Sequence, residues 1–290
     1  MPLARELLGD ALPPRLADLP EPPRHLYLRG ELPRGPAVAV VGTRNASAEG
    51  LAFTRSFAAE LAAAGVAILS GGAQGIDTAA HQGALDAGGV TVVVTAAGFE
   101  HPFPKENAGL FQQVLDGGGA YLSLFPDDVP AKRPAFFARN ACLVALSHAV
   151  VVTQAPFISG AANAAKWARQ LGRALFVVPH SPWVTQGNGA IQELRRGGRP
   201  LDRPKEVLRF LRAAGFHPLA AAPAQGKLFS SEPGDDDPVL RALREGAVHA
   251  DEIVDRTGLS LATVQQRILT LALSGVLVPG PLGSLKPVTD

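Results

Sequence analysis

The feature that most restricts the fold of this chain is a change of hydrophobic period that repeats along it. Strand-like apolar runs occur at Ala37 to Val41, Val66 to Leu69, Val90 to Thr95, Ala120 to Phe125, Ala149 to Thr153 and Ala174 to Val178. Helical patterns separate most of them, over Ala48 to Ala64, Thr78 to Ala87, Asn107 to Leu115, Arg139 to Leu146 and Ala161 to Leu171. Such alternation predicts βαβ units around a parallel sheet. The strands are almost continuously apolar, so both faces of the sheet are expected to be covered. A doubly wound sheet of this kind binds ligands beyond the carboxyl ends of its strands. The connections Gly42-Thr43-Arg44, Ser70 to Asp77 and Ser159-Gly160 fall at that edge.

The richest of these connections is Ser70-Gly71-Gly72-Ala73-Gln74-Gly75-Ile76-Asp77-Thr78-Ala79-Ala80-His81. Three glycines between strand and helix are expected to leave backbone N–H groups uncovered. Asp77 and Thr78 are candidate helix caps, and the helix N-terminus carries partial positive charge. Together these predict a seat for a phosphate. The loop lacks the Gly-Lys-Ser/Thr of a P-loop, because Gly75 is followed by Ile76 and Asp77. The turn after the first strand, Gly42-Thr43-Arg44-Asn45-Ala46-Ser47, has one glycine where a dinucleotide fold needs three. P-loop hydrolysis and nicotinamide chemistry are therefore disfavoured.

Composition narrows the class further. The chain has 290 residues, 47% of them hydrophobic and 18% charged, enough for one large or two modest folded domains. A single cysteine, Cys142, excludes an internal disulfide framework and a cysteine-based zinc site. His101, His148, His180 and His249 lack ligand spacing, so neither a metal nor a cofactor is expected. No run reaches membrane-spanning length and no signal-peptide core follows Met1, so a cytoplasmic location is expected. The net charge of +1 hides an asymmetry. Residues 235–290 hold an excess of acids and the rest an excess of bases, so a polyanion should prefer the N-terminal part.

The expected domains are an N-terminal extension at 1–36, an α/β domain at 37–213, a linker at 214–237 and a small unit at 238–290. In the last, Val239 to Arg244, His249 to Arg256 and Leu261 to Leu273 read as helices. Thr257 to Ser260 reads as a turn ending in a cap residue, and Val276 to Pro287 as a hairpin. That order resembles a winged helix-turn-helix. Its third helix carries only Arg267 among Thr263 to Arg267, too few cations for a duplex reader, so a protein-contacting module is expected.

Arg44 stands where the first strand hands over to a helix. A guanidinium there forks onto a phosphate or stacks on a base; the alternative is a surface arginine paired with an acid. Lys132-Arg133-Pro134-Ala135-Phe136-Phe137-Ala138-Arg139-Asn140 sets cations beside aromatics, a pattern suited to single-stranded nucleic acid. The alternative is a phenylalanine pair packed into the core ahead of a helix. Asp77 and His81 lie four apart on one helix face, and a cap with a hydrogen-bonded neighbour is favoured over an acid–base pair.

These motifs, in this order, resemble the DprA/Smf family (DNA-processing protein A). The matching pieces are Leu26 to Gly30, Val40 to Ser47, Ser70 to His81, Phe99 to Asn107, Phe136 to Asn140 and Ser159-Gly160. The resemblance covers about residues 24–205, and the C-terminal unit looks like the family's winged-helix appendage. It implies an extended Rossmann-like, mostly parallel sheet that binds single-stranded DNA without catalysis. It also implies a homodimer that loads the RecA recombinase during natural transformation. Carried onto this sequence, the DNA pocket comprises Arg44, Ser70, Gly71, Gly72, Gln74, Gly75, Lys132, Phe136, Arg139, Asn140, Ser159 and Gly160, with Lys166 nearby. The chain departs from the family pattern at Gln74 and Ala141, which replace arginines, and at Leu124 and Gln154, which replace acids. It also departs at His180, where the family has glycine, and over Ala161 to Asn163. No helical domain is expected before Leu26. The second reading is a nucleoside-monophosphate phosphoribohydrolase on a similar fold, whose Pro-Gly-Gly-x-Gly-Thr run is absent here. A third makes the C-terminal unit a duplex-binding regulator.

Overall fold

The structure, a computed structural model, describes residues 4–181, 183–216, 237–259, 261–273, 277–279 and 285–287. Two compact units divide between residues 225 and 226. Most of the expected linker, residues 217–236, and the expected cap residue Ser260 lie outside the described residues.

The first unit is a nine-stranded sheet in the order β1-β2-β6-β5-β4-β3-β7-β8-β9. The strands are β1 (Arg5–Leu8), β2 (His25–Gly30), β3 (Ala37–Val41), β4 (Ala67–Ser70), β5 (Thr91–Thr95), β6 (Ala120–Ser123), β7 (Ala149–Val152), β8 (Ala174–Val177) and β9 (Arg199–Pro200). From β6 to β9 every pairing is parallel. The chain runs outward from β3 in one direction and returns to β7 on its other side, so β3 and β7 frame the switch point of a doubly wound sheet.

Successive residues of β3 explain the layers. Val38 and Val40 face α1 (Ala48–Ala63), α2 (Ile76–Asp86) and α7 (Pro204–Ala213) through Phe57, Leu61, Ile76, Ala80 and Leu211. Ala37, Ala39 and Val41 face α4 (Arg133–Leu146) and α5 (Gly160–Gln170) through Leu143, Ala145 and Ala165. The remaining α-helices among the described residues of this unit are α3 (Ala108–Asp116) and α6 (Gly189–Arg195). Both faces are thus filled by apolar residues, as the unbroken apolar strands require.

Two expectations change. Residues 1–36 do not stand apart: β2 pairs antiparallel with β6, and β1 pairs with β2. Leu16 and Leu19 of the same segment join the core beside α4. Proline-rich composition hid this, because β2 finds its partner far along the chain, where it covers the edge that β6 would otherwise expose. Helix α4 starts at Arg133 rather than Arg139. Pro134 sits in its first turn, where a missing N–H costs nothing, so it opens the helix rather than delaying it. Helices α6 and α7 and strand β9 complete the sheet's far side without a sequence forecast.

The second unit has α8 (Pro238–Arg244), α9 (Ala250–Thr257) and α10 (Leu261–Leu273), followed by β10 (Leu277–Pro279) and β11 (Leu285–Pro287) paired antiparallel. Val239, Leu240, Leu243, Ile253, Val264 and Leu271 form its core. Asp237 caps α8 by accepting from the amides of Val239 at 2.9 Å and Leu240 at 3.2 Å.

Candidate nucleic-acid interface

The glycine loop is organised from within. Asp77 is buried, and its Oδ2 accepts hydrogen bonds from the amides of Gly71 at 3.1 Å and Ala73 at 3.3 Å. It does not cap α2, whose N-cap is Gly75 with no side-chain bond. The expectation of a loop with uncovered amides is therefore corrected in part: a carboxylate of the chain takes those of Gly71 and Ala73, while those of Gln74 and Gly75 have no acceptor among the described residues. Burial raises the Asp77 carboxyl above its ordinary range, opposed by the Arg139 guanidinium and the loop amides. Thr78 donates to Ala73 O at 2.8 Å, and Asn107 donates to Gly72 O at 2.9 Å. Gln74 stays exposed at the tip.

All three glycines of the loop are sterically required, Gly72 by a φ of +73° and a Cβ that would fall 2.8 Å from the Phe111 ring. Gly75 has φ +79° and its missing Cβ would fall 2.4 Å from Thr43 O and 2.7 Å from Arg44 O. It thereby seats the 70–77 loop directly on the turn that carries Arg44, and Ile76 N donates to Thr43 O at 3.2 Å. At Gly71 a Cβ would meet Arg139 Nη1 at 1.8 Å.

Arg139 is buried, 5% exposed, and Nη1 donates to Val94 O at 2.8 Å. Burial lowers its pKa from the ordinary arginine value, with Asp77 opposing. It therefore acts as a buried strut between α4, β5 and the glycine loop rather than as a surface contact. Ser70 is wholly buried too, donating to Val40 O at 2.6 Å.

The exposed part of the site is an aromatic and cationic lip. Arg44, exposed, places its guanidinium carbon 5.3 Å from the Phe136 ring centre and 5.8 Å from that of Phe103. The two rings meet edge to face at 5.3 Å. Arg139 lies 5.8 Å from the Phe136 ring. Phe136 thus lies within cation–π range of two guanidinium groups, one exposed and one buried. No acid pairs with Arg44 among the described residues, against the alternative reading of that arginine. Neither Phe136 nor Phe137 is buried, so the packed-pair alternative is corrected as well; Phe137 is 52% exposed.

Other expected residues fall elsewhere along the same edge. Asn140 donates to Gly160 O at 3.1 Å and to Asn163 Oδ1 at 3.2 Å, which ties α4 to the start of α5. Ser159 caps α5 by accepting from Ala162 N at 3.1 Å. Lys132 is exposed just before α4. Lys166 lies with Phe137 on the α5 side of α4, not with Phe136.

His81 does not bond Asp77. Thr91 gives its hydroxyl proton to Ile68 O at 2.6 Å, so it accepts from His81 Nδ1–H at 2.8 Å. Burial lowers the His81 pKa to about 3, and the ring is neutral. Gln154, where the resemblance calls for an acid, accepts from Ser47 N at 2.9 Å through Oε1. Its carbonyl accepts from Thr43 N at 2.7 Å. It fixes both ends of the Arg44 turn. The roles of Phe103 and Gln154 escaped sequence reasoning. Phe103 lies inside the Phe99 to Asn107 motif, but nothing local in it signals the distant partners Phe136 and Arg44.

In the second unit, Arg267 pairs with Asp237 at 2.5 Å and is 19% exposed. The single cation noted in that stretch of α10 is held by the residue that caps α8.

A doubly wound α/β unit with a phosphate-type loop and an arginine–aromatic lip, followed by a winged-helix unit, is the class these features define. The chain belongs to the DNA recombination-mediator protein A family, whose model matches residues 7–212. A DprA winged helix domain matches residues 218–281. A Mycobacterium tuberculosis protein described as DNA processing protein DprA is 36% identical over 83% of this chain and 61% of its own length. The chain thus spans about three fifths of that relative. Escherichia coli Protein Smf is 32% identical over 94% of this chain and 74% of its own. The solved structure of Helicobacter pylori DNA processing protein A, described for its single-stranded DNA binding mode, superposes with TM-score 0.67 at 28% identity. It covers 74% of this chain and 98% of that one.

Proposed function

We propose that this chain binds single-stranded DNA and serves as a recombination mediator that loads RecA onto it, as a cytoplasmic homodimer without catalytic activity. The observation that carries the reading is the lip of Arg44, Phe103 and Phe136 seated against the glycine loop. Planar aromatics beside unpaired cations suit bases and phosphates in alternation. Asp77 and Arg139 hold the loop rigid from behind, so an incoming strand meets a preformed surface. The backbone N–H groups of Gln74 and Gly75, which are not buried, have no protein acceptor among the described residues and are the proposed phosphate donors, whereas Gly72 is buried behind them. Ser159, Gly160, Asn140, Lys132 and Lys166 extend the proposed contact. RecA loading, dimerisation and a role in natural transformation are proposed on the family resemblance, while the Helicobacter pylori relative supports the single-stranded DNA part of the reading alone.

The test is fluorescence anisotropy of labelled oligo-dT, competed with duplex DNA, on wild type and Arg44→Ala. Arg44 is exposed, so its truncation should leave the fold intact while weakening oligo-dT by roughly 10-fold, as one lost stacking or charge contact predicts. Unchanged affinity would remove the proposed pocket. A RecA-loading assay then tests the mediator step separately.

A further inference from the structure

Phe136 and Phe137 are neighbours on α4, and adjacent residues on a helix of 3.6 residues per turn leave it in different directions. Phe136 joins Arg44 and Phe103. Phe137 turns toward α5, where it lines an open groove of about 350 Å³ with Ala138, Asn163, Lys166, Trp167 and Gln170. The α5 members recur three and four residues apart, so they form one face of that helix.

The lining has a definite chemistry. Its aromatic lining is Phe137 and Trp167, and the small Ala138 lines it as well. Its polar groups are one ammonium and two amides, and no carboxylate lines it. The other cation of α5, Arg169, is taken by Glu193, whereas Lys166 is exposed and without an ion pair among the described residues. Lys132 and Arg133, also exposed, open α4 just upstream. An uncovered phenylalanine, an indole and a cation facing one gap suit a planar base next to an anion. A purely apolar partner would leave the lysine and both amides to be desolvated without acceptors.

We propose that this groove is a second base-stacking subsite for single-stranded DNA, with a base on Phe137 and Trp167 and Lys166 on the adjoining phosphate. The proposal rests on the single-strand reading of the Arg44 lip and gives the strand a path across the start of α4, from Phe136 to Phe137.

The chain has two tryptophans, and Trp183 is 83% exposed, so Trp183→Phe leaves Trp167 as a single reporter at little structural cost. The full chain is titrated with oligo-dT of about 4 to 16 nucleotides, the span of common single-strand site sizes. Saturating oligo-dT is expected to quench Trp167 emission. Phe137→Ala and, in the unmodified chain, Trp167→Leu should each weaken the longer oligos roughly 5- to 100-fold. Trp167→Leu keeps an apolar side chain against the core, so its loss is one of stacking rather than folding. Lys166→Gln should flatten the salt dependence by about 0.7 in the log–log slope. Unquenched Trp167 together with wild-type binding by Phe137→Ala overturns the subsite. If Arg44→Ala still weakens binding in that case, only the groove has failed. Quenching with Arg44→Ala unaffected would keep the groove and dismiss the lip. Emission that changes with protein concentration in the absence of DNA would assign the groove to a second copy and overturn the proposal.

Discussion

Replacing Gly71 by alanine isolates the contact that fixes the glycine loop. The added methyl would lie 1.8 Å from Arg139 Nη1, 2.4 Å from Cζ and 2.7 Å from Nη2. Gly71 is not among the glycines with positive φ, so the cost is collision and not backbone strain. The guanidinium is enclosed and held by Val94 O at 2.8 Å, and moving it breaks a charged hydrogen bond worth about 1.5–3 kcal/mol. It also parts Arg139 from buried Asp77, so a total near 3 kcal/mol is expected, with the further loss from uncompensated buried charge. That corresponds to a fall of about 6–12 °C in Tm for a unit of this size. Both tryptophans lie in the first unit, so emission during urea or thermal unfolding reports that unit alone. The decisive comparison is Gly71→Ala in an Asp77→Asn/Arg139→Met background, where both charges are gone together and the methyl has no guanidinium to strike. There it should cost less than about 1 kcal/mol, the two effects being strongly non-additive. An equal cost in both backgrounds would refute the argument.

Acid should weaken the first unit through His81. Its pKa falls to about 3 in the fold, whereas the unfolded chain binds that proton near 6.5, so stability is lost as pH drops from 6.5 toward 3. The loss at pH 5 is about 2 kcal/mol, read as the urea midpoint against pH; His81→Gln should flatten that dependence, and an identical slope would acquit the histidine. Gln154→Ala should cost about 1–3 kcal/mol, because it strips the buried end of the Arg44 turn of the acceptor for Ser47 N–H. Amide exchange at Ser47 should speed up in that variant; unchanged protection would show that another group holds the turn.

The sheet was legible because its signals are local. Apolar runs of four to six residues and the glycines between them need no partner to be recognised, and the strands from β3 to β8 fall where the period changes. Segments whose role depends on a distant partner were not legible. β2 reads as an isolated short run until β6 lies beside it, and Pro134 reads as a breaker until the helix starting at Arg133 is seen. The same limit applied at the candidate site. The positions of Arg44, the glycine loop and Phe136 along the chain were visible, but not that Asp77 fills two of the loop's amides. Arg139 looks like a surface cation in sequence, yet burial and Val94 O make it internal.

The sequence by itself determined the order of elements from β3 to β8, the edge on which the functional loops gather and the family to which the chain belongs. Periodicity, glycine placement and motif spacing are properties of neighbouring residues, and they survive without a third dimension. Only the tertiary structure decided that Phe103 meets Phe136 and Arg44, that Phe137 opens onto α5, and that Arg267 closes on Asp237. Those outcomes depend on which side chains share a boundary with solvent after packing. A buried charge must find its partner, and an exposed one stays available for a ligand.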